Sequence, residues 1–247
     1  MTLFKYCLLI VSVCLSCLTS ANSHLNQHVQ AVGQTMSALY MQGLSEGNAK
    51  YERDLEFYKQ KASESLSLYS NGEPEQGAEL QLTWNKLKGN IKATFSKEFG
   101  WDVDPTVRRN FRGYLSKVYQ LSLAKADGEK APEARYGFTL VQLEAVIARF
   151  FDISSTYNGT FSLSNSDLEM LDPKVISKEF KQALDDLANL GVGVGAKDIR
   201  SAKFKWEFIE ESVVNYSDES AYFLVYATKN KISKVLSSGQ VLLSNHN

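Results

Sequence analysis

Cysteine is scarce in this sequence and confined to one segment. The only three cysteines, Cys7, Cys14 and Cys17, lie in an apolar run near the start of the chain. A chain processed after that run has no disulfide, no thiol nucleophile and no thiolate metal ligand. Chemistry that depends on a thiol is therefore excluded for the processed protein.

Histidine is equally scarce, and its three positions are His24, His28 and His246. His24 and His28 would share a helix face, but no third metal ligand lies close to them in sequence. Histidines so placed do not assemble into a Ser-His-Asp triad. The sequence therefore predicts no catalytic residue and no metal site.

A nucleotide-binding motif is lacking as well. The glycine-rich segment Gly191–Ala196 has the spacing of a dinucleotide-binding turn. That turn has to follow a β-strand, whereas this segment follows an amphipathic helical pattern. We interpret it as a connector between helices and predict no cofactor.

Neither sign of charge is in excess. The chain has 27 Lys and Arg against 28 Asp and Glu, a formal net charge of -1. Such a chain has no electrostatic footprint for nucleic acid. Hydrophobic residues make up 44% of the sequence, which is enough for a sizeable core.

An export signal is present at the start of the chain. Lys5 precedes the apolar run Tyr6–Leu18, and small polar residues follow it. This order is typical of a secretory signal peptide, here residues 1–23, cleaved after Ala21 or Ser23. We therefore expect an exported protein, either periplasmic or secreted.

Two alternatives to simple cleavage involve the membrane. The segment could be retained as an anchor, or Cys17 could become the lipidated first residue of a lipoprotein. No later run is long enough to cross a bilayer, since the most apolar one is Ala221–Ala227. The sequence predicts no transmembrane span in the mature chain.

Helical periodicity is the dominant signal in the rest of the chain. Apolar residues spaced by three and four run from Leu25 to Tyr69, with a slip at Gly43 to Gly47 where we expect a kink. Later segments repeat this spacing. The sequence predicts an all-α antiparallel bundle with a long N-terminal helix and about six or seven helices in total.

Turn and capping residues divide the later chain. Pro74, Asp104-Pro105 and Asp172-Pro173 are expected to begin helices, and Thr139 with Gln142 forms a capping box. The helix after Pro74 is expected to end at Phe99 and Gly100, and the last helix to fray toward Gly239. Residues 197–216 fit a helix better than a strand.

The domain organisation predicted from these elements has three parts. The signal peptide is followed by an N-terminal bundle, residues 24–157, and by a C-terminal helical unit, residues 158–247, packed on it. The boundary lies in the turn-rich segment around Tyr157 and Asn158.

Two sets of residues are candidates for binding. Arg108, Arg109 and Arg112, at the start of a helix close to Trp101, could hold a carboxylate or phosphate. The other set is the apolar stripe of the first helix, which would meet a protein partner or a second copy if it extends beyond the shorter helices: Leu25, Val29, Val32, Met36 and Leu39.

Three classes of function fit the sequence. The first is a non-enzymatic exported bundle that binds a protein partner or a small ligand in the cell envelope, in an accessory or sensory role. The second is a hydrolase built on carboxylates alone, although no converging pair is evident. The third is a membrane-active helical protein that uses Ala221–Ala227. We favour the first because it requires only what the sequence contains.

Overall fold

In a computed structural model, the chain is a bundle of helices with one small hairpin. The structure describes residues 2–98, 100–126, 131–155, 171–216 and 221–244, and of residues 2–20 only the backbone. These ranges contain α1 (Thr2–Leu44), α2 (Ala49–Gly72), α3 (Pro74–Lys88), β1 (Thr94–Ser96), β2 (Gly100–Asp102), α4 (Pro105–Ala126), α5 (Pro132–Ser154), α6 (Pro173–Leu190), α7 (Ala196–Asn215) and α8 (Tyr222–Ser244). The predicted all-α bundle is confirmed.

The chain from Leu25 to Tyr69 forms two helices, so the prediction of a single kinked helix was wrong. Glu46 and Gly47 have φ angles of 55° and 84°, and the chain reverses there. Asn48 then caps α2 by accepting a hydrogen bond from the Lys50 amide at 2.9 Å. The slip in the apolar stripe marks this reversal, and α1 and α2 pack along each other as a hairpin.

Most predicted helix starts are confirmed. Pro74 occupies the first turn of α3. The side chains of Asp104 and Asp172 each accept a hydrogen bond at 2.8 Å, from the amides of Thr106 and Lys174. Residues 196–215 form a helix, as the period indicated.

Three predicted features of the elements were wrong. The helix α3 ends at Lys88, and the chain then forms the antiparallel hairpin β1–β2, in which Phe95 lies opposite Trp101. Thr139 is inside α5, where its hydroxyl donates to the Arg135 carbonyl at 2.8 Å instead of capping a helix. The last helix continues through Gly239 to Ser244 because Gly239 packs against the ring of Tyr136.

The centre of the bundle is α5. It packs against α1, α4, α6 and α8, and almost every residue from Tyr136 to Ile153 is buried. Helices on both sides of the predicted domain boundary therefore share one core. The boundary segment itself lies outside the described residues, as do the side chains of residues 1–20 of the predicted signal peptide.

A membrane crossing would need a long apolar helix. Over the ranges that the structure describes, no helix has the required length and apolarity.

Candidate functional site

A polar cavity of about 190 Å³ lies between α1, α4, α5 and α6. We call it the polar cavity. Its walls include Asn22 and Asn26 from α1, and Ser122 and Lys125 from α4. The other two helices contribute polar and apolar side chains: Arg135, Phe138, Thr139 and Gln142 from α5, and Asp186 and Leu187 from α6.

The wall formed by α1, α4 and α5 holds buried polar side chains. Asn26, Ser122 and Gln142 are each less than 10% exposed. The Ser122 hydroxyl donates to Asn26 Oδ1 at 2.5 Å. The Gln142 Oε1 atom has no hydrogen-bond partner among the described residues. Such an oxygen is uncommon in a folded protein, because buried polar atoms are generally satisfied.

Charged groups lie at the outer part of the polar cavity. Lys125 Nζ is 2.8 Å from Glu73 Oε1 in a partly exposed ion pair. Asp186 is exposed and accepts from Gln182 at 2.9 Å. The cavity thus offers amide and hydroxyl groups inside and both signs of charge near solvent, a combination that suits a small polar molecule.

The predicted arginine site is internal. The carboxylate of Asp152 accepts from Arg112 Nε at 2.6 Å and from Arg149 at 3.1 Å. Arg108 donates to the Asp152 carbonyl at 3.3 Å. Asp152 is fully buried, and Arg108 and Arg112 are nearly so. These two arginines are brought together as predicted, but around a carboxylate of the protein rather than around an external anion.

The other two residues of that prediction lie elsewhere. Arg109 is exposed on α4. Trp101 packs its ring against the backbone of Gly43 and lies 6.2 Å from the ring of Tyr40, centroid to centroid. Trp101 therefore packs on the C-terminal end of α1, close to the turn that leads into α2. It does not form a site with Arg109.

Tyr40 belongs to the same buried cluster. Its hydroxyl donates to Asp152 Oδ1 at 2.9 Å, and the Arg108 guanidinium lies 5.2 Å from its ring centroid. Burial, followed by the charge of Asp152, raises the pKa of Tyr40 well above its ordinary value. The phenol is a fixed donor in this cluster and not an acid at physiological pH.

The predicted partner face is also internal. Its residues are at most 1% exposed: Leu25, Val29, Val32, Met36 and Leu39. They are buried in a helix that packs mainly against α2 and α5. The prediction depended on α1 extending beyond the shorter helices, and this part of α1 does not. No docking surface can be built from these side chains in the folded chain.

His28 is also part of the core. Its Nδ1 is 2.8 Å from the Ala62 carbonyl and its Nε2 is 2.8 Å from the Tyr114 hydroxyl. Because a carbonyl only accepts, Nδ1 carries the proton and Nε2 accepts from Tyr114. Burial lowers the pKa of His28 to about 4. Both ring nitrogens of His28 are therefore engaged inside the core.

A buried ion pair between α5 and α8 was not anticipated. Lys229 Nζ lies 3.0 Å from Glu144 Oε2, and Gln34 and Ser233 donate to Glu144 Oε1 at 3.2 Å and 2.9 Å. Both ions are at most 1% exposed. The sequence carries one signal for this pair. Apolar residues occur on every side of α5, so the helix is expected to be buried all round, and a buried Glu144 carboxylate needs a cation beside it.

Among the described side chains, no three or more His, Cys, Asp or Glu residues are grouped so as to hold a metal ion. The polar cavity is therefore the candidate site that the geometry supports best. Comparisons with protein-family models, with curated proteins and with solved structures found no match for this chain.

Proposed function

We propose that this chain is an exported, non-enzymatic helical bundle that binds a small polar molecule in the polar cavity. The observation that carries the proposal is the polar cavity itself, whose lining includes Gln142, a buried residue whose Oε1 atom has no hydrogen-bond partner among the described residues. A buried acceptor without a partner costs about 1–3 kcal/mol. A rotation of the Gln142 side chain that brings this oxygen to the cavity would let a ligand N–H or O–H group recover that energy.

The size of the polar cavity supports a small ligand. Its volume of about 190 Å³ corresponds to about six water molecules at roughly 30 Å³ each. That is the size range of an amino acid or a monosaccharide. Asn26 and Ser122 add further hydrogen-bonding capacity beside Gln142.

The composition of the cavity wall favours binding over hydrolysis. Asp186 is the only carboxylate among the described residues that line it, and it is exposed. Hydrolysis by carboxylates alone uses two of them facing one substrate. Export is supported by Lys5 and the apolar run Tyr6–Leu18, and it would place the binding function in the cell envelope or outside the cell.

A thermal-shift assay of the full chain against the standard amino acids and simple monosaccharides tests the proposal. A ligand at about 100 times its Kd stabilises the folded state by about 2.7 kcal/mol. For a chain of this size we expect the Tm to rise by about 5 °C or more with at least one compound.

A cavity-filling variant makes the assay specific. Ala183 lines the polar cavity on α6, so Ala183→Phe should abolish the response. Ala227 is exposed on α8, and Ala227→Phe should keep it. The proposal is wrong if no compound raises the Tm, or if the response is the same in Ala183→Phe.

A further inference from the structure

Two exposed phenylalanines mark a second surface, far from the polar cavity in sequence and independent of it. Phe204 and Phe208 lie one turn apart on α7 and are 70% and 69% exposed. Leu224 of α8 is 48% exposed and lies across an open groove of about 330 Å³ from them. Lys205 and Lys231 also line this groove. We call these five residues the basic-aromatic patch.

The charged side chains that line the groove carry one sign. Its lining contains two lysines and, within the part of the chain that the structure describes, no carboxylate. Lys205 Nζ is held at the groove by the Ser201 hydroxyl at 2.5 Å. Glu207 and Glu211 are exposed on the same helix but do not line the groove. The groove itself is therefore lined by aromatic and cationic side chains in a chain that is near neutral as a whole.

We propose that the basic-aromatic patch docks the protein peripherally on an anionic lipid surface. The rings of Phe204 and Phe208 would enter the interfacial region, and Lys205 and Lys231 would meet lipid phosphates. Aromatic and apolar side chains flanked by lysines are the combination that binds such surfaces. Contiguous exposed apolar side chains mark interaction surfaces in folded proteins.

The size of the patch favours lipid over a protein partner. A stable protein interface uses about 20–30 residues on each side. The groove has seven lining residues, and only five of them form the patch. Of the predicted membrane-contacting run Ala221–Ala227, the structure exposes Phe223 and Leu224 but buries Tyr222 and Val225, so α8 contributes only an edge.

The experiment measures binding of the full chain to vesicles of equal parts phosphatidylglycerol and phosphatidylcholine, with pure phosphatidylcholine vesicles as reference. An environment-sensitive fluorophore on Ala227→Cys, in a chain whose native cysteines are replaced by serine, reports contact beside the groove, because Ala227 is exposed on α8 within one turn of Leu224 and Lys231. We expect a blue shift on the anionic vesicles and affinity at least tenfold above the reference. Insertion of the first 20 residues would bind the vesicles equally in the patch variants and in their controls, so the variants below separate it from contact at the patch.

Matched variants separate the contributions of the rings and the charges. Phe204→Ser with Phe208→Ser should weaken binding at least tenfold. The same change at Phe57 and Leu68, which are similarly exposed on α2, should alter it less than twofold.

Reversal of the two patch lysines, Lys205→Glu with Lys231→Glu, should abolish the preference for anionic vesicles. Each lysine near such a surface contributes about fivefold in affinity. Reversal at the exposed residues Lys92 and Lys97 should leave the preference in place. Circular dichroism confirms folding of each variant.

Two results would overturn the proposal. One is vesicle binding that the patch variants and their controls change equally. The other is a fluorophore shift that appears without vesicles as the protein concentration rises, with a doubled mass in light scattering, since it would identify a second copy as the occupant.

Discussion

Individual residues of α5 carry the most unusual chemistry of this molecule. Glu144, Arg149 and Asp152 are almost completely buried, and each is neutralised by side chains from other helices or from the next turn. A buried ion pair adds little to stability over an apolar replacement, but the loss of one partner is expensive. The pairs therefore fix which helices meet α5.

The pair formed by Glu144 and Lys229 gives the first prediction at this scale. Lys229→Met should lower the free energy of unfolding by about 3–5 kcal/mol, because it leaves the Glu144 charge buried without its cation. Adding Glu144→Gln should recover about 2 kcal/mol or more, because a neutral amide can still accept from Gln34 and Ser233. Urea unfolding of the variants measures both values.

Lys234 supplies the control for this pair. It is exposed on the same helix, so Lys234→Met should change the unfolding free energy by no more than about 0.5 kcal/mol. Equal losses in Lys229→Met and Lys234→Met would contradict the importance of the buried pair.

His28 gives a prediction about pH. Burial lowers its pKa from the ordinary 6.5 to about 4, so the unfolded chain binds the proton more readily. Its contribution is fully present above pH 6.5 and is lost as the pH falls toward 4. The shift corresponds to about 3 kcal/mol over that window. In urea unfolding at pH 7 and 4.5, His28→Gln should lose less stability on acidification than the native chain.

The absolute stability of His28→Gln does not enter this comparison. Only the change between the two pH values is compared, which removes the effect of the lost contacts to Ala62 and Tyr114. An unchanged pH dependence in the variant would show that other groups control the acid sensitivity.

At the scale of elements, two helical glycines differ in the space around them. Gly77 of α3 is buried against Ser70 of α2, and an added Cβ would overlap the Ser70 backbone. Gly113 of α4 has open space where its Cβ would be. The same substitution should therefore have opposite effects at the two positions.

Thermal and urea unfolding of two single variants test this. Gly77→Ala should destabilise the fold by about 1–3 kcal/mol, because α2 and α3 would be forced apart. Gly113→Ala should stabilise it by about 0.5–1 kcal/mol, because alanine favours a helix interior. A stabilising effect of Gly77→Ala would contradict the close approach of α2 and α3.

Elements whose ends have local causes were predictable from the sequence. Asp104, Asp172 and Gly191 fix helix ends through hydrogen bonds or backbone angles that depend on neighbouring residues only. The hairpin β1–β2 was missed because Phe95 continues the apolar spacing of α3, and its strand is stabilised by pairing with Trp101. That pairing is a property of two segments and not of one.

The arrangement of the whole molecule explains why the candidate site could not be predicted from the sequence. The polar cavity takes Asn26, Ser122, Gln142 and Asp186 from four helices separated by long stretches of chain. Each residue alone has the spacing of an ordinary helix surface. These residues come together because α5 lies at the centre of the bundle. The apolar residues on all sides of α5 indicate that it is buried, but no local pattern specifies which helices surround it.

The burial of Glu144 against Lys229 also makes the core depend on the end of the described chain. Glu144 lies in the central helix α5 and Lys229 lies 85 residues later in α8, so the carboxylate gains its cation only when α8 is docked. A chain shortened before α8 would leave Glu144 without that cation. We therefore expect such a shortening to weaken the packing around α5 and not only the surface that α8 covers.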